Sequence, residues 1–163
     1  LLQVAACITA ACLEPVPGWF DRIVFHDSED AARMRCGAAP VVQAMHDRTG
    51  LWDHLSRGAG LPVVDAELRA FIDQRVPAGV QVRLAGSRVS GVDVPFARRF
   101  LPSTYRRLHY RVVDVSSIAF VAATFGWSDG YFGKQRTHRA ADDLAESIAE
   151  LCWIRSRVEA AGV

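Results

Sequence analysis

His138 and Asp143 are the residues whose types and spacing could most directly do chemistry. His138 stands just ahead of a stretch that reads as a helix, and Asp143, five residues later, lies a little more than one turn along it. A titratable base and a carboxylate can therefore converge on one spot from loop and helix, a geometry suited to moving a proton. On these residues alone a plainer reading is preferred: His138 as a surface histidine, with Asp142 and Asp143 placed near a helix N-terminus by its macrodipole.

The elements that must position these groups follow from hydrophobic pattern and turn residues. Residues 1–9 read as a strand, Glu14-Pro15-Val16-Pro17-Gly18 as a turn, and residues 20–26, with Ile23, Val24 and Phe25, as a second strand antiparallel to the first. Residues 28–60 read as short helices broken at Gly37, Pro40, Gly50 and Gly58. A clearer amphipathic helix spans 62–76, with Leu68, Phe71, Ile72 and Val76 on one face. Residues 80–85 return as a strand, 93–100 as a helix and 110–115 as a strand. Asp114 or Ser116 can cap the next helix, which ends near Gly126. Residues 127–136 form a glycine-containing loop, and 140–160 the closing helix. Strands first, then alternating helix and strand, indicate a mixed α/β sheet covered by helices.

Bulk properties exclude little beyond this. The 163 residues fit one domain with a substantial core, and a composition half hydrophobic and 23% charged argues against disorder. A formal net charge of +1 gives no strong basic field to advertise nucleic acid. Lys134 is the only lysine; the arginine bias is chain-wide and reads as a feature of the coding genome rather than of a phosphate site. Cys7, Cys12, Cys36 and Cys152 have no CxxC spacing and read as small buried hydrophobes in a reducing compartment. No stretch approaches a membrane span and no signal peptide is recognisable, so a cytoplasmic protein is expected.

Three segments in order carry a resemblance: Leu84-Ala85-Gly86 with Asp93 and Phe96; His109-Tyr110-Arg111-Val112-Val113-Asp114-Val115-Ser116-Ser117; and Thr137-His138-Arg139-Ala140-Ala141-Asp142-Asp143. Together they resemble the oligoribonuclease branch of the DEDDh 3′-to-5′ exonucleases, over residues 1 to about 157. The resemblance implies a ribonuclease H-like mixed sheet flanked by helices. It also implies cleavage of short oligoribonucleotides by two-metal phosphodiester hydrolysis, with Mg²⁺ or Mn²⁺ as cofactors, and a cytoplasmic homodimer.

Carried over residue by residue, the family's site implies Asp93 and Asp143 as metal ligands and His138 as general base, an imidazole whose pKa of about 6.5 suits that role. His46, in His46-Asp47-Arg48-Thr49-Gly50-Leu51, corresponds to a histidine that helps hold the terminal nucleotide; an exposed loop histidine is the equally weighted alternative. Tyr110 and Arg111 correspond to a segment whose tyrosine reaches across the dimer to cap the substrate, against the alternative of a buried strand tyrosine. Lys134 is placed to meet phosphate, although such a lysine is more often only solvated.

The departures set further expectations. The family's first strand, bearing an Asp-x-Glu pair between the early hairpin and the later parallel strands, falls ahead of Leu1, so the chain reads as a single exonuclease domain lacking that strand. Two of four carboxylates are then missing. The chain as given is expected to bind metal weakly and be impaired, with each unpaired backbone group beside the gap costing roughly 1–3 kcal/mol if buried. Gly86-Ser87-Arg88 replaces Gly-Asn-Ser with one residue inserted before Asp93, Gln3 stands where a glutamate is usual, and an aromatic near Val41 is gone. This drift around the site motivates a second expectation, a catalytically inactive homodimer or nucleotide-binding relative.

Overall fold

The structure, a computed structural model, describes residues 1–127 and 139–162. Its first half is built on an antiparallel hairpin of β1 (Gln3–Thr9) and β2 (Pro15–Ile23), in register from Gln3 opposite Ile23 to Cys7 opposite Trp19, with an irregularity between Cys7 and Thr9. The expected turn at residues 14–18 is instead the start of β2. Pro15 and Pro17 are tolerated there because the strand pairs on one side, so a missing N–H need not break a ladder.

Three short helices follow, α1 (Ser28–Gly37), α2 (Pro40–Thr49) and α3 (Leu51–His54), and a single 3₁₀ turn at Leu55–Arg57. Gly50 ends α2 at φ 65°, a left-handed cap that glycine adopts without a Cβ penalty, while its N–H bonds back to the carbonyls of Asp47 and His46. Gly58 lies against β2 so closely that a Cβ would sit 2.6 Å from the Phe25 nitrogen and 2.7 Å from the Ile23 oxygen. Residues 51–55 bury Leu51, Trp52 and Leu55 against Leu2, Ile23 and Met34.

The main core forms where α4 (Leu61–Asp73) covers the hairpin. Val64, Leu68, Phe71 and Ile72 recur at helical spacing on one face. They meet Phe20 and Val24, and the alternate β1 residues Val4, Ala6 and Ile8 pack on the same cluster. The rings of Phe20 and Phe71 lie 5.8 Å apart. Asp65, buried on α4, accepts the Ser103 and Thr104 amides at 2.8 Å and so caps the short helix α6 (Pro102–Tyr105) that follows α5 (Asp93–Phe100).

The second half has much less sheet. The strands expected over 80–85 and 110–115 shrink to β3 (Ala85–Gly86) and β4 (Val113–Asp114), which run parallel, with a separate bridge between Val82 and Leu108. Val82 uses both its N–H and its carbonyl on the 107–109 segment, so alternation turns the backbone of Arg83 and Ala85 to the opposite edge. Among the described residues no strand pairs there, and none pairs with the outer edge of β1. The last two helices are α7 (Val115–Thr124) and α8 (Ala140–Ala160), and α8 packs against β1, β3 and α7.

Two further expectations are corrected. Tyr110 is not a buried strand residue: it precedes β4 in a loop and is 80% exposed. The cysteines are free but not buried, Cys12 and Cys36 being exposed and Cys7 and Cys152 half-buried. Among the described residues no helix is long and apolar enough to cross a membrane.

Candidate active site

Helix α8 begins where three segments meet. Its N-cap residue, Arg139, makes no side-chain cap of its own. Gln3 of β1 supplies an oxygen instead: its Oε1 accepts the Ala140 amide at 3.4 Å while its Nε2 donates to Asp21 at 2.7 Å. The Arg139 guanidinium donates to the carbonyl of Thr49, at the end of α2. Asp142 and Asp143 lie in the first turn of α8, where the helix dipole favours negative charge. Gln3 thus links β1 to the start of the helix bearing Asp143.

Asp93 is reached from the other side. The Ser147 hydroxyl, one turn beyond Asp143, donates to the Asp143 carbonyl at 2.9 Å and lies 3.2 Å from the Ser87 hydroxyl. A hydroxyl has one proton to give, so with Ser147 donating to Asp143 the Ser87 hydroxyl is the donor to Ser147. The turn that leads into α5, and therefore to Asp93 at its first residue, is tied in this way to the helix that carries Asp143.

That turn is irregular. Arg88 has φ 60°, a left-handed conformation uncommon outside glycine, asparagine and aspartate. Its amide donates to Asp114 Oδ1 at 3.2 Å and to Ser116 Oγ at 3.0 Å. Asp114 is also the N-cap of α7, accepting the Ser116 and Ser117 amides. Its other oxygen accepts Ser90 twice, from the hydroxyl at 2.6 Å and the amide at 3.2 Å.

These surroundings set opposite titration behaviour in the two carboxylates. The Ser90 hydroxyl above all, with the Ser90, Ser117 and Arg88 amides, holds the Asp114 carboxyl below its ordinary range. Desolvation pushes the Asp93 carboxyl up, although much of the residue still faces solvent; its own backbone N–H partly offsets this and the Asp114 charge adds to it. Asp93 and Asp143 are oxygen donors, the chemistry that suits hard divalent cations, and a cation beside Asp93 would relieve its crowding with Asp114. Among the described residues no group of three or more metal-binding side chains forms.

The remaining sequence-derived residues fall in three places. His46 occupies the last turn of α2 rather than a loop; it is half-buried, with its ring edge-on to Trp52 at 5.2 Å, four residues before the Gly50 cap. Its segment is brought to the start of α8 through Thr49. Tyr110 and Arg111 stand apart, in a surface stack in which His109 lies 4.5 Å from the Tyr110 ring and the Arg111 guanidinium 5.4 Å from it. Lys134 and His138 lie outside the described residues. Ser147 was not singled out from the sequence; nothing local marks it, since its partner Ser87 is sixty residues away.

Comparison with known proteins gives a consistent set of relatives. The chain is 36% identical over 160 residues to an oligoribonuclease of Nocardia farcinica, an alignment covering 95% of this chain and 71% of that protein. It is 34% identical over 161 residues to an oligoribonuclease of Streptomyces avermitilis, covering 97% and 78%. It is also 34% identical over 158 residues to a probable oligoribonuclease of Schizosaccharomyces pombe, covering 96% and 60%. No family model matches.

Proposed function

The chain belongs to the oligoribonuclease family and is by that membership an exoribonuclease; we propose that it removes nucleotides from the 3′ end of short oligoribonucleotides, with Asp93, Asp143 and His138 at the reacting end. The observation that supports this reading is the Ser87–Ser147 contact, which ties the turn before Asp93 to the first turns of the helix bearing Asp143. When bound between them, Mg²⁺ or Mn²⁺ would stabilise the attacking and leaving oxygens of the phosphodiester. His138 takes the proton of the attacking water. His46 holds the terminal nucleotide, Lys134 meets phosphate, and the Tyr110–Arg111 segment of a second copy caps the short substrate.

The reading extends to the assembly. Residues 1–163 act as one ribonuclease H-like domain, and the open edges of β1 and β3 receive a strand carrying the Asp-x-Glu pair. Both strands contact α8, and such a strand between them would join the two small sheets into one and bring its acids toward Asp93 and Asp143. The exposed Tyr110, Phe120, Val121 and Phe125 supply an apolar surface for a second copy of the chain in a cytoplasmic homodimer. Ser87-Arg88 in the turn favours one other reading, a non-catalytic homodimer that binds short oligonucleotides.

The test places an Asp-x-Glu strand ahead of Leu1 and follows Mn²⁺-dependent cleavage of an RNA dinucleotide. Cleavage that His138→Ala lowers by about 10²–10⁴-fold is expected. Cleavage unchanged in that variant rejects His138 as base, and metal-independent binding without turnover selects the second reading.

A further inference from the structure

Asp114 does more than cap α7. Its Oδ1 holds the Arg88 amide as well as the Ser116 and Ser117 amides, and its Oδ2 holds the Ser90 hydroxyl and amide. Five donors thus converge on one side chain, and three of them belong to the turn that runs from Gly86 to Asp93. Beyond these bonds the turn is held by the Ser87–Ser147 hydroxyl contact, by the buried Val89 and by the Val94 amide on the Val89 carbonyl. Its ends are the two-residue β3 and the uncapped start of α5, where Val92 makes no side-chain cap, and Arg88 within it has positive φ. A non-glycine residue keeps that conformation only when its surroundings over-determine it. Here Asp114 and Ser116 take its amide, after which the Arg88 carbonyl accepts the Val92 amide at 3.0 Å, one residue before Asp93.

We propose that Asp114 is a positioning residue for the metal site: by holding Arg88 in its left-handed conformation and Ser90 against the start of α7, it sets where Asp93 stands relative to Asp143. This rests on the reading of Asp93 as a metal ligand. Asp114 is not itself a ligand in this arrangement, because both its oxygens are engaged by N–H and O–H donors.

The test compares the full chain with Asp114→Ala, Asp114→Asn and the double variant Asp114→Ala/Arg88→Gly. It measures Mn²⁺ affinity by water-proton relaxation, thermal midpoint, and amide exchange at Arg88 and Ser90. Asp114→Ala should weaken Mn²⁺ binding about tenfold and speed exchange at both amides. Asp114→Asn keeps an oxygen for the cap and Arg88 but loses the acceptor for Ser90, so it should fall between wild type and alanine. Glycine adopts positive φ without a partner, so Arg88→Gly in the alanine background should restore Mn²⁺ affinity to within about threefold of wild type. The thermal midpoint should stay low, because the α7 cap is still missing.

A cap and nothing more predicts a lowered midpoint with Mn²⁺ affinity unchanged, or affinity that the glycine does not restore; either result overturns the proposal. If the wild-type chain still gives no Mn²⁺ response up to millimolar concentrations once the Asp-x-Glu strand is supplied ahead of Leu1, the reading of Asp93 is overturned instead. The exchange data then decide the clamp alone, with unaltered exchange at Arg88 and Ser90 in Asp114→Ala rejecting it.

Discussion

The hairpin half and the turn half of this molecule are held by different forces. Around β1, β2 and α4, in strands of seven and nine residues, β1 packs alternate side chains toward a helix face and Phe20 of β2 is buried together with Val64, Leu68, Phe71 and Ile72. Around β3, β4 and α5 the strands have two residues each, and the turn before Asp93 is fixed by hydrogen bonds to Asp114, Ser116 and Ser147. Apolar burial is non-directional and scales with area, so it makes a scaffold. Hydrogen bonds are directional and individually modest, so they set geometry with little reserve of stability. Asp93 lies on the second kind of structure, and Asp143 on a helix that packs against both β1 and β3.

Substitutions can break or sharpen that contrast. The largest stability effect belongs to the hairpin half: Phe71→Ala should destabilise by about 3–5 kcal/mol in urea unfolding, because it empties the contact with Phe20. A loss well under 1 kcal/mol would show that the core is not the scaffold. Asp65→Ala should cost about 1–3 kcal/mol by leaving the Ser103 and Thr104 amides without their acceptor between α4 and α6. Ser147→Ala should cost only about 0.5–1.5 kcal/mol in the same assay, yet lower dinucleotide cleavage in the strand-restored enzyme. Equal, small effects on both would mean that the Ser87–Ser147 contact does not position the carboxylates.

The smallest effect is a pH dependence. The Asp114 carboxyl is held below its unfolded value, so its contribution to stability is present above about pH 4 and is lost as pH falls through the lower folded value. Asp114→Asn should therefore lose less of its thermal midpoint than wild type between pH 5 and about pH 2.5. Asp93 acts with the opposite sign: its raised pKa means that the folded state holds its proton longer, so ionisation above the unfolded value costs stability, and Asp93→Asn should gain slightly near neutral pH. A loss on that substitution would place a stabilising partner on the Asp93 carboxylate.

Much of this architecture was legible in the sequence, unevenly and for physical reasons. Helical periodicity located the buried face of α4, and the helices read over residues 93–100 and 140–160 match the bounds of α5 and α8. The strands before and after α5 came out shorter than their valine-rich runs suggest. Sheet length depends on a pairing partner, and Arg83 and Ala85 have none on one edge among the described residues. Pro15 and Pro17 read as a turn because local chemistry cannot say that β2 is paired on one side only. The expected capping by Asp114 held, but its second task did not follow from sequence: its bonds to Arg88 and Ser90 span more than twenty residues. Tyr110 shows the same limit, since a tyrosine among valines reads as buried until the strand around it proves too short to cover it.

The central claim is that Asp93 and Asp143 act together on one divalent cation, and a double-mutant cycle on Mn²⁺ affinity tests it most directly. With wild type, Asp93→Asn, Asp143→Asn and the pair measured by proton relaxation on the full chain, the account predicts that each single variant loses most of the binding and that the pair loses little more. Losses that simply add, or an Asp93→Asn variant that binds Mn²⁺ as wild type does, would contradict it.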